Sequence, residues 1–564
     1  MKLRMRNIKT AGRRPEILIS DVTSRADKRF VSPDDPNLWR AVPYTTEGFS
    51  GVMLGCGPGP NPVSITVNLN VKGWYRVWVS LFSFCHAGSL RLRLSGDLCS
   101  HPVSSPARAQ SDLYGESVAL HETWWRDAEL TGQTLIVEPS FSTGEHKGCA
   151  LAFLRLEPIR PSKSVKPRKV RHPLVVTNDG HGIFGERPHF RPEDLLEPFE
   201  RIPGHTCLRM LIWGLGDGDM CNYPTKVGNF FPTHGRFLAA DLRTRYGNMA
   251  LWRKQGWDSL KLMRDYTRRR KWEFQTYLRM EAFDAPYPFD KTSLHSKFFH
   301  RHPEFHCFDS CGQRVMRLSY AYPEVQAHML ALIKEIAGYK PDGICLGLIR
   351  GVPLVLYERP MVAGFMKRYG ADPRDLPETD ARWMAYQASV LTPFIKKAKA
   401  CLNRGQRLSV IVPGNELDCR RWGLDVATWV KEGLIDDLLP TGQSFTENDV
   451  HRDDPKSLDF YYFNRLEGRK NIRLIPLLYP WDLFASDYKA WRAYVYSYLD
   501  RGADMYAAWD STPSGDGSNF VKVDVGYEDR VEIKPPAPSP AGRRVKLTTL
   551  EGFRCDRYQY YEVV

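Results

Sequence analysis

Short apolar runs that stop abruptly in polar, aromatic and carboxylate clusters recur between residues 173 and 515. The clearest is PDGICLGLIRGVPLVLYERP, from Pro341 to Pro360. Its apolar stretch, Ile344 to Ile349, ends at Arg350 and Gly351, and a short apolar loop then delivers Tyr357 and Glu358. The same grammar appears in LVVTNDGHG, MLIWGLGDGD, FQTYLRMEAFD, LSVIVPGNELD, IPLLYPWD and MYAAWDS. Buried parallel strands read as short apolar runs. The pattern predicts strands at Leu174–Thr177, Leu208–Trp213, Glu273–Leu278, Gly343–Ile349, Leu408–Val412, Leu434–Leu439, Ile472–Leu478 and Asp504–Trp509. Helical stretches fall between them, near Trp257–Arg269, Pro323–Ala337, Ala381–Cys401, Val426–Glu432 and Tyr488–Arg501. Eight strands with interleaved helices predict an α/β fold, a (β/α)8 TIM-type barrel. A doubly wound open sheet is the runner-up, but no Gly-rich phosphate loop follows the first strand.

The pattern changes at both ends. Over residues 1–160, GWYRVWVSLFSF and SLRLRLSGDL alternate apolar with polar residues, and TWWRDAEL, QTLIVEPS and CALAFLRLEPI follow between turn residues. Period-2 alternation marks half-buried strands, and this part reads as a jelly-roll-like β-sandwich. Residues 161–172 are a basic, Pro-containing linker. Residues 173–515 form the expected barrel. Residues 516–564 return to strand-like runs (FVKVDV, RVEIK, RVKLTTL, QYYEVV), a small β-rich segment expected to pack on the barrel or on the sandwich.

Composition changes the picture only a little. The 564 residues exceed one ordinary domain, and the formal net charge is +14. A basic surface suits an anionic partner, but Asp and Glu are abundant and interspersed, so a nucleic-acid partner is not expected. Twelve Cys show no disulfide framework. No run of 18 apolar residues predicts a membrane span, and the basic start lacks the apolar core of a signal peptide. A cytoplasmic protein is expected as the chain reads, or a secreted or periplasmic one if a signal has been removed. The 15 Trp and 26 Tyr supply flat faces able to stack on sugar rings.

In such a barrel the active site lies past the C-terminal strand ends. There the sequence puts Asn178, Asp179 and His181; Trp213, Asp217 and Asp219; Arg279 and Glu281; Arg350, Tyr357 and Glu358; Asn415, Glu416 and Asp418; Trp481 and Asp482; and Trp509 and Asp510. Glycoside hydrolysis needs two carboxyl groups across the scissile bond, one of them protonated. Several of these residues have plain structural readings too. Asp179 and Asp217 sit in Gly-flanked turns, where Asp caps its own backbone. Glu416 can be a helix-start residue, and Trp481 and Trp509 can be core. Glu358 lies in an apolar loop, where a carboxyl pKa rises. The segment FFHRHPEFHCFDSC has His and Cys at spacings that can bind zinc, but its Cys pair is CxxxC rather than CxxC and a loop is a sufficient account, so no metal and no cofactor is expected.

The segments NDGHG (178–182), IWGLGDGDMCNYPTKVG (212–228), YAYPEVQAHMLALIKEI (320–336), PDGICLGLIRGVPLVLYERPMVAGFMKRYGADPRDL (341–376) and CRRWGLDVATWVKEGLIDDLLP (419–440) resemble a group of uncharacterised family-10-like glycosyl hydrolases. WYRVWVSLF and WWRDAELTGQTLIV resemble that group's N-terminal sandwich. The resemblance implies a sugar-active barrel with an accessory β-sandwich. It also implies an Asp in the fourth strand, as DGIxLD, where this chain has Gly347.

The expectation is a glycoside hydrolase acting on a poly- or oligosaccharide, with an anionic glycan suited to the basic surface. Glu358 is the expected general acid, with Glu416 or Asp179 as second carboxylate. His181, Trp213, Asp217, Arg279, Glu281, Arg350, Tyr357, Trp481 and Asp510 would bind the substrate. The alternative, favoured by Gly347, is a non-catalytic carbohydrate-binding protein on a degenerate barrel. A homo-oligomer stays open.

Overall fold

The computed structural model describes residues 15–32, 35, 37–56, 63–83, 89–104, 118–139, 149–160, 172–186, 189–202, 206–231, 240–280, 296–349, 353–442, 445–446, 449–450, 458–479, 488–510, 523–525 and 542–550. The chain divides into two compact units, Pro167–Glu532 and a second made of Met1–Lys166 with Ile533–Val564.

The larger unit is a closed barrel of eight parallel strands. They are β1 (Leu174–Asn178), β2 (Leu208–Asp217), β3 (Glu273–Arg279), β4 (Gly343–Gly347), β5 (Arg407–Pro413) and β6 (Asp437–Thr441), then β7 (Arg473–Leu474 with Leu477–Leu478) and β8 (Tyr506–Ala508). Each pairs with the next, and β1 pairs with both β2 and β8, which closes the ring. Pro476 interrupts β7, where a missing N–H cannot join the ladder. The sixth strand begins three residues later than its apolar run suggests and ends two later, with Asp437 inside it.

Side chains at alternate positions fill the barrel interior: Met210 and Ile212 from β2, Tyr277 from β3, Cys345 from β4, Ile411, Leu439, Leu477 and Ala507 further round. Two glycines on β4 admit side chains from β3. A Cβ on Gly343 would lie 2.9 Å from the Gln275 side-chain carboxamide carbon, and one on Gly347 would lie 2.4 Å from Tyr277 Cε2 and 2.6 Å from its hydroxyl. The Tyr277 ring therefore occupies the space that an Asp at position 347 would need.

Helices flank the strands, and their caps are local. Ser259–Arg270 starts at Asp258, whose side chain accepts from the Lys261 N–H, and carries Arg268–Arg270 in its last turn. Ala381–Ala400 starts at Asp380 and buries Trp383, Gln387, Leu391, Phe394, Ile395 and Ala398 along one face. Helices at Ala240–Gln255 and Arg359–Tyr369 escape the periodicity reading, as does the hairpin of His306–Phe308 with Arg314–Leu318.

The smaller unit is an antiparallel sandwich of a seven-stranded and a four-stranded sheet. Its core joins Val77, Val79, Leu151 and Leu154 of the larger sheet to Ile65, Val67, Leu90 and Val137 of the smaller. The tail strand Arg544–Leu550 lies inside the larger sheet, antiparallel to both Arg40–Thr46 and Val118–Glu129. The tail thus completes the sandwich.

Candidate active site

The two ends of the barrel carry different chemistry. At the N-terminal end a closed polar network crosses the interior. Arg473 bridges Glu273 (2.7 Å) and Asp437, and the Arg407 Nη2 donates to Asp437 Oδ1 at 2.6 Å. Gln275 Nε2 donates to Asp437 at 2.9 Å, and the Ser409 hydroxyl, with one proton to give, lies 2.6 Å from Gln275 Oε1 and 2.8 Å from Asp437 Oδ2. Burial opposes ionisation of Asp437, but hydrogen bonds and charge from Arg473 and Arg407 outweigh it and hold the carboxyl at about 2.

At the C-terminal end, β1 and its NDGHG turn, β2, β3 and β8 bring four charged groups together. Arg279, 1% exposed at the end of β3, donates Nη1 to Asp217 Oδ1 at 2.6 Å, and its Nη2 lies 2.6 Å from Asp179 Oδ2. Burial works against this guanidinium's charge, but Asp179 and Asp217 outweigh it and push its pKa further up. The Asp179 N–H donates to Asp510 Oδ1 at 3.2 Å, and the Asp510 N–H donates to the Thr177 hydroxyl at 3.0 Å. Asp510 has φ +42°, a left-handed conformation uncommon outside glycine that Asp tolerates better than most. Burial, then the charge of Asp179, raises the Asp510 carboxyl to about 6, against the Asp179 N–H, His181 and Arg279. His181 Nδ1 lies 3.2 Å from the Asp179 carbonyl, and its ring stacks on Phe231 with centroids 6.1 Å apart. Below this cluster Trp509 stacks on Tyr479 and meets Tyr277 edge-on, with centroids 5.5 and 5.6 Å apart.

Of the twelve residues expected to catalyse or to bind the substrate, the structure brings Asp179, His181, Asp217, Arg279 and Asp510 together. Glu281, Arg350 and Trp481 lie outside the described residues. The other four are placed elsewhere. Trp213 is one register position from the interior residue Ile212, so it points outward and packs on Phe199 at 6.1 Å. Tyr357 is 8% exposed and stacks on Trp383 of a flanking helix at 5.0 Å. Glu358 is fully buried as the residue before the helix Arg359–Tyr369. Both its carboxylate oxygens accept from the Leu356 N–H, at 3.0 and 2.9 Å, and it also bonds Cys307 and Ser319. Burial raises its pKa as its apolar loop suggests, but this carboxylate holds a loop closed and turns no face to a substrate. Glu416 opens the helix Glu416–Arg421 and pairs with Arg420 at 3.1 Å, its side chain 43% exposed.

Asp219 is also near β2, where His328 Nε2 contacts its Oδ2 at 2.8 Å and stacks on Phe298 at 4.0 Å. In the His-rich segment, His306 faces the Phe299 carbonyl and His302 pairs with Glu304. These histidines serve local packing.

No family model and no curated protein matches the chain. Among solved structures it is similar to an α-galactosidase from Thermus thermophilus, at 11% identity over 86% of this chain and 94% of that one, with a TM-score of 0.33. A chitinase from Bacteroides thetaiotaomicron is 10% identical over 65% of this chain and 99% of that one, TM-score 0.34. A β-(1,4)-mannanase from Podospora anserina is 9% identical over 91% and 96%, TM-score 0.28. The neighbours are glycoside hydrolases, at similarities too low to carry residue roles to this chain.

Proposed function

We propose that the chain is a glycoside hydrolase in which Asp510 and Asp179 are the two working carboxyls. The reading rests on one observation: adjacent carboxyls at the barrel mouth stand in opposite environments. Asp179 faces the buried Arg279 guanidinium, while Asp510 is half-buried beside Asp179 with its proton held up to about 6. Carboxyl pairs whose surroundings drive their proton affinities apart divide into acid and base. Asp510 protonates the glycosidic oxygen as the C–O bond breaks. Asp179, paired with Arg279, stabilises the oxocarbenium-like centre or activates the attacking group. Asp217 anchors the other arm of Arg279 and so fixes Asp179, and His181 stands beside Asp179, its Nδ1 3.2 Å from the Asp179 carbonyl. Glu358, the acid expected from sequence, serves the fold here. With three carboxylates around one guanidinium, a neutral glycan fits the described mouth better than an anionic one.

A second reading, a glycan-binding barrel without turnover, draws on Gly347, which leaves β4 without the acid the resemblance implies. One experiment separates them: reducing-end release from a panel of soluble polysaccharides by wild type and by Asp510→Asn. Release by wild type that Asp510→Asn loses supports the hydrolase. Undiminished release by the variant sinks the assignment of Asp510, and binding without release supports the second reading.

A further inference from the structure

The larger sheet of the sandwich has two faces, one turned to the core between the sheets. On its other face the strand registers place side chains in rows. Trp74 lies opposite Glu129, Arg76 lies opposite Asp127 on one side and Glu157 on the other, and Trp78 lies between Trp124 and Arg155. The row is offset by a β-bulge at Val77/Trp78, which turns Trp124 onto the same face as Trp78.

Two features separate this face from an ordinary solvated one. Trp74 and Trp124 are each 38% exposed, among the few large apolar side chains so open to water. The polar groups between them are already held in place. Arg76 forms two parallel bonds to Asp127, at 3.0 and 3.1 Å, and the Trp124 indole N–H donates to the same carboxylate at 3.2 Å. Trp78 is fixed beneath by Arg155, whose guanidinium carbon is 4.7 Å from its ring, and Arg155 is itself held by Glu122 through bonds of 2.8 and 2.7 Å. Aromatic side chains locked by bidentate pairs lose little entropy on binding, so the contact they make is gained nearly in full.

We infer that this face is a second glycan-binding site, separate from the barrel mouth and made by Trp74, Trp124 and the Arg76–Asp127 pair. The chemistry selects a carbohydrate chain. An indole face covers the C–H face of a pyranose ring, while the guanidinium and carboxylate edges present donors and acceptors for its hydroxyls. A protein partner would favour a continuous apolar centre, which the charged pair interrupts. Four residues of strand separate Trp74 from Trp78 beside Trp124, about 13 Å at the usual rise per residue. A ligand touching both indoles is therefore an extended chain, not a single ring. The Arg–Asp pair is charge-balanced, which favours a neutral chain.

The test is affinity electrophoresis of the full chain through native gels cast with soluble galactomannan, xylan, hydroxyethylcellulose, glycol chitosan or polygalacturonate. Asp510→Asn is the parent, so that the mouth can bind but not degrade the polymer. Retardation in at least one neutral polymer is expected, with affinity about tenfold weaker in Trp124→Ala and in Trp74→Ala, and weaker still in the double variant. Trp124→Phe should recover much of the loss, which a misfolded sandwich would not. Equal retardation of parent and double variant overturns the second site, whatever the mouth does. No retardation in any polymer overturns it as well. Retardation only by polygalacturonate or glycol chitosan would replace the neutral chain with a charged one and overturn the selectivity argued here. Reducing-end release by the wild-type mouth, measured separately, keeps the proposed hydrolase reading independent of this result.

Discussion

The two ends of the barrel interior use the same residue types to opposite effect. At the N-terminal end, Asp437 and Glu273 face Arg407 and Arg473, with Gln275 and Ser409 taking up the remaining bonds. Charge is balanced, and the carboxyl at the centre is driven down to about 2. At the C-terminal end three carboxylates, Asp179, Asp217 and Asp510, share one guanidinium, Arg279. Among the described residues the excess is offset by a proton that stays until about pH 6. A satisfied cluster locks a fold. An unsatisfied one holds a proton that chemistry can use.

The comparison breaks first on activity. Asp510→Asn is expected to lower turnover by about 10²–10⁴-fold while leaving the protein folded, as measured by reducing-end release beside circular dichroism. If both carboxyls work, Asp179→Asn should fall in the same range. At the other end Asp437→Ala strips Arg407 and Arg473, whose side chains are 32% and 25% exposed, of their shared buried carboxylate and is expected to cost about 1–3 kcal/mol of stability, read by urea denaturation. Residual folded enzyme should keep its turnover per molecule.

The ends also carry opposite pH signatures. Asp437 has a folded pKa below the ordinary 3.8, so its stabilising contribution is present above about pH 4 and is lost as pH falls through about 2. Asp510 has a folded pKa above the ordinary 3.8, so the native state holds the proton more tightly. Stability declines as pH rises from about 4 to about 6. Asp510→Asn should therefore raise stability by about 1–3 kcal/mol above pH 7 and give no gain at pH 4, measured by denaturation at both. A pH-independent effect would show that Asp510 does not hold this proton. The smallest effect belongs to Glu416, whose solvent-facing pair with Arg420 makes Glu416→Gln neutral within about 0.5 kcal/mol and without effect on turnover.

The barrel was legible because buried parallel strands leave an unmistakable apolar trace. The mouth was legible only where the strand end and the inward register coincided, as at Asp179, Asp217, Arg279 and Asp510. Trp213 failed by one residue of register, since a strand's period of two sends neighbours to opposite faces. Glu358 failed because the signal that selects a general acid, a carboxylate in apolar surroundings, also describes one buried to hold a loop. Asp437 left its mark in the run GLIDDLLP, a carboxylate inside an apolar strand, yet its partners lie 28 to 162 positions away and no local spacing reveals them. Tyr277 became visible only with the bare backbone of Gly347 beneath it.

The tail strand bears on how the chain is made. Arg544–Leu550 pairs with Arg40–Thr46 on one side and Val118–Glu129 on the other, so both strands expose unpaired edges until it arrives. A ribosome delivers that strand only after every residue of the barrel has emerged. Domains usually fold in the order of synthesis, N-terminal first. Here the first domain to leave the ribosome is the last able to finish, and its open edges must stay out of reach of other nascent chains for nearly the whole of translation.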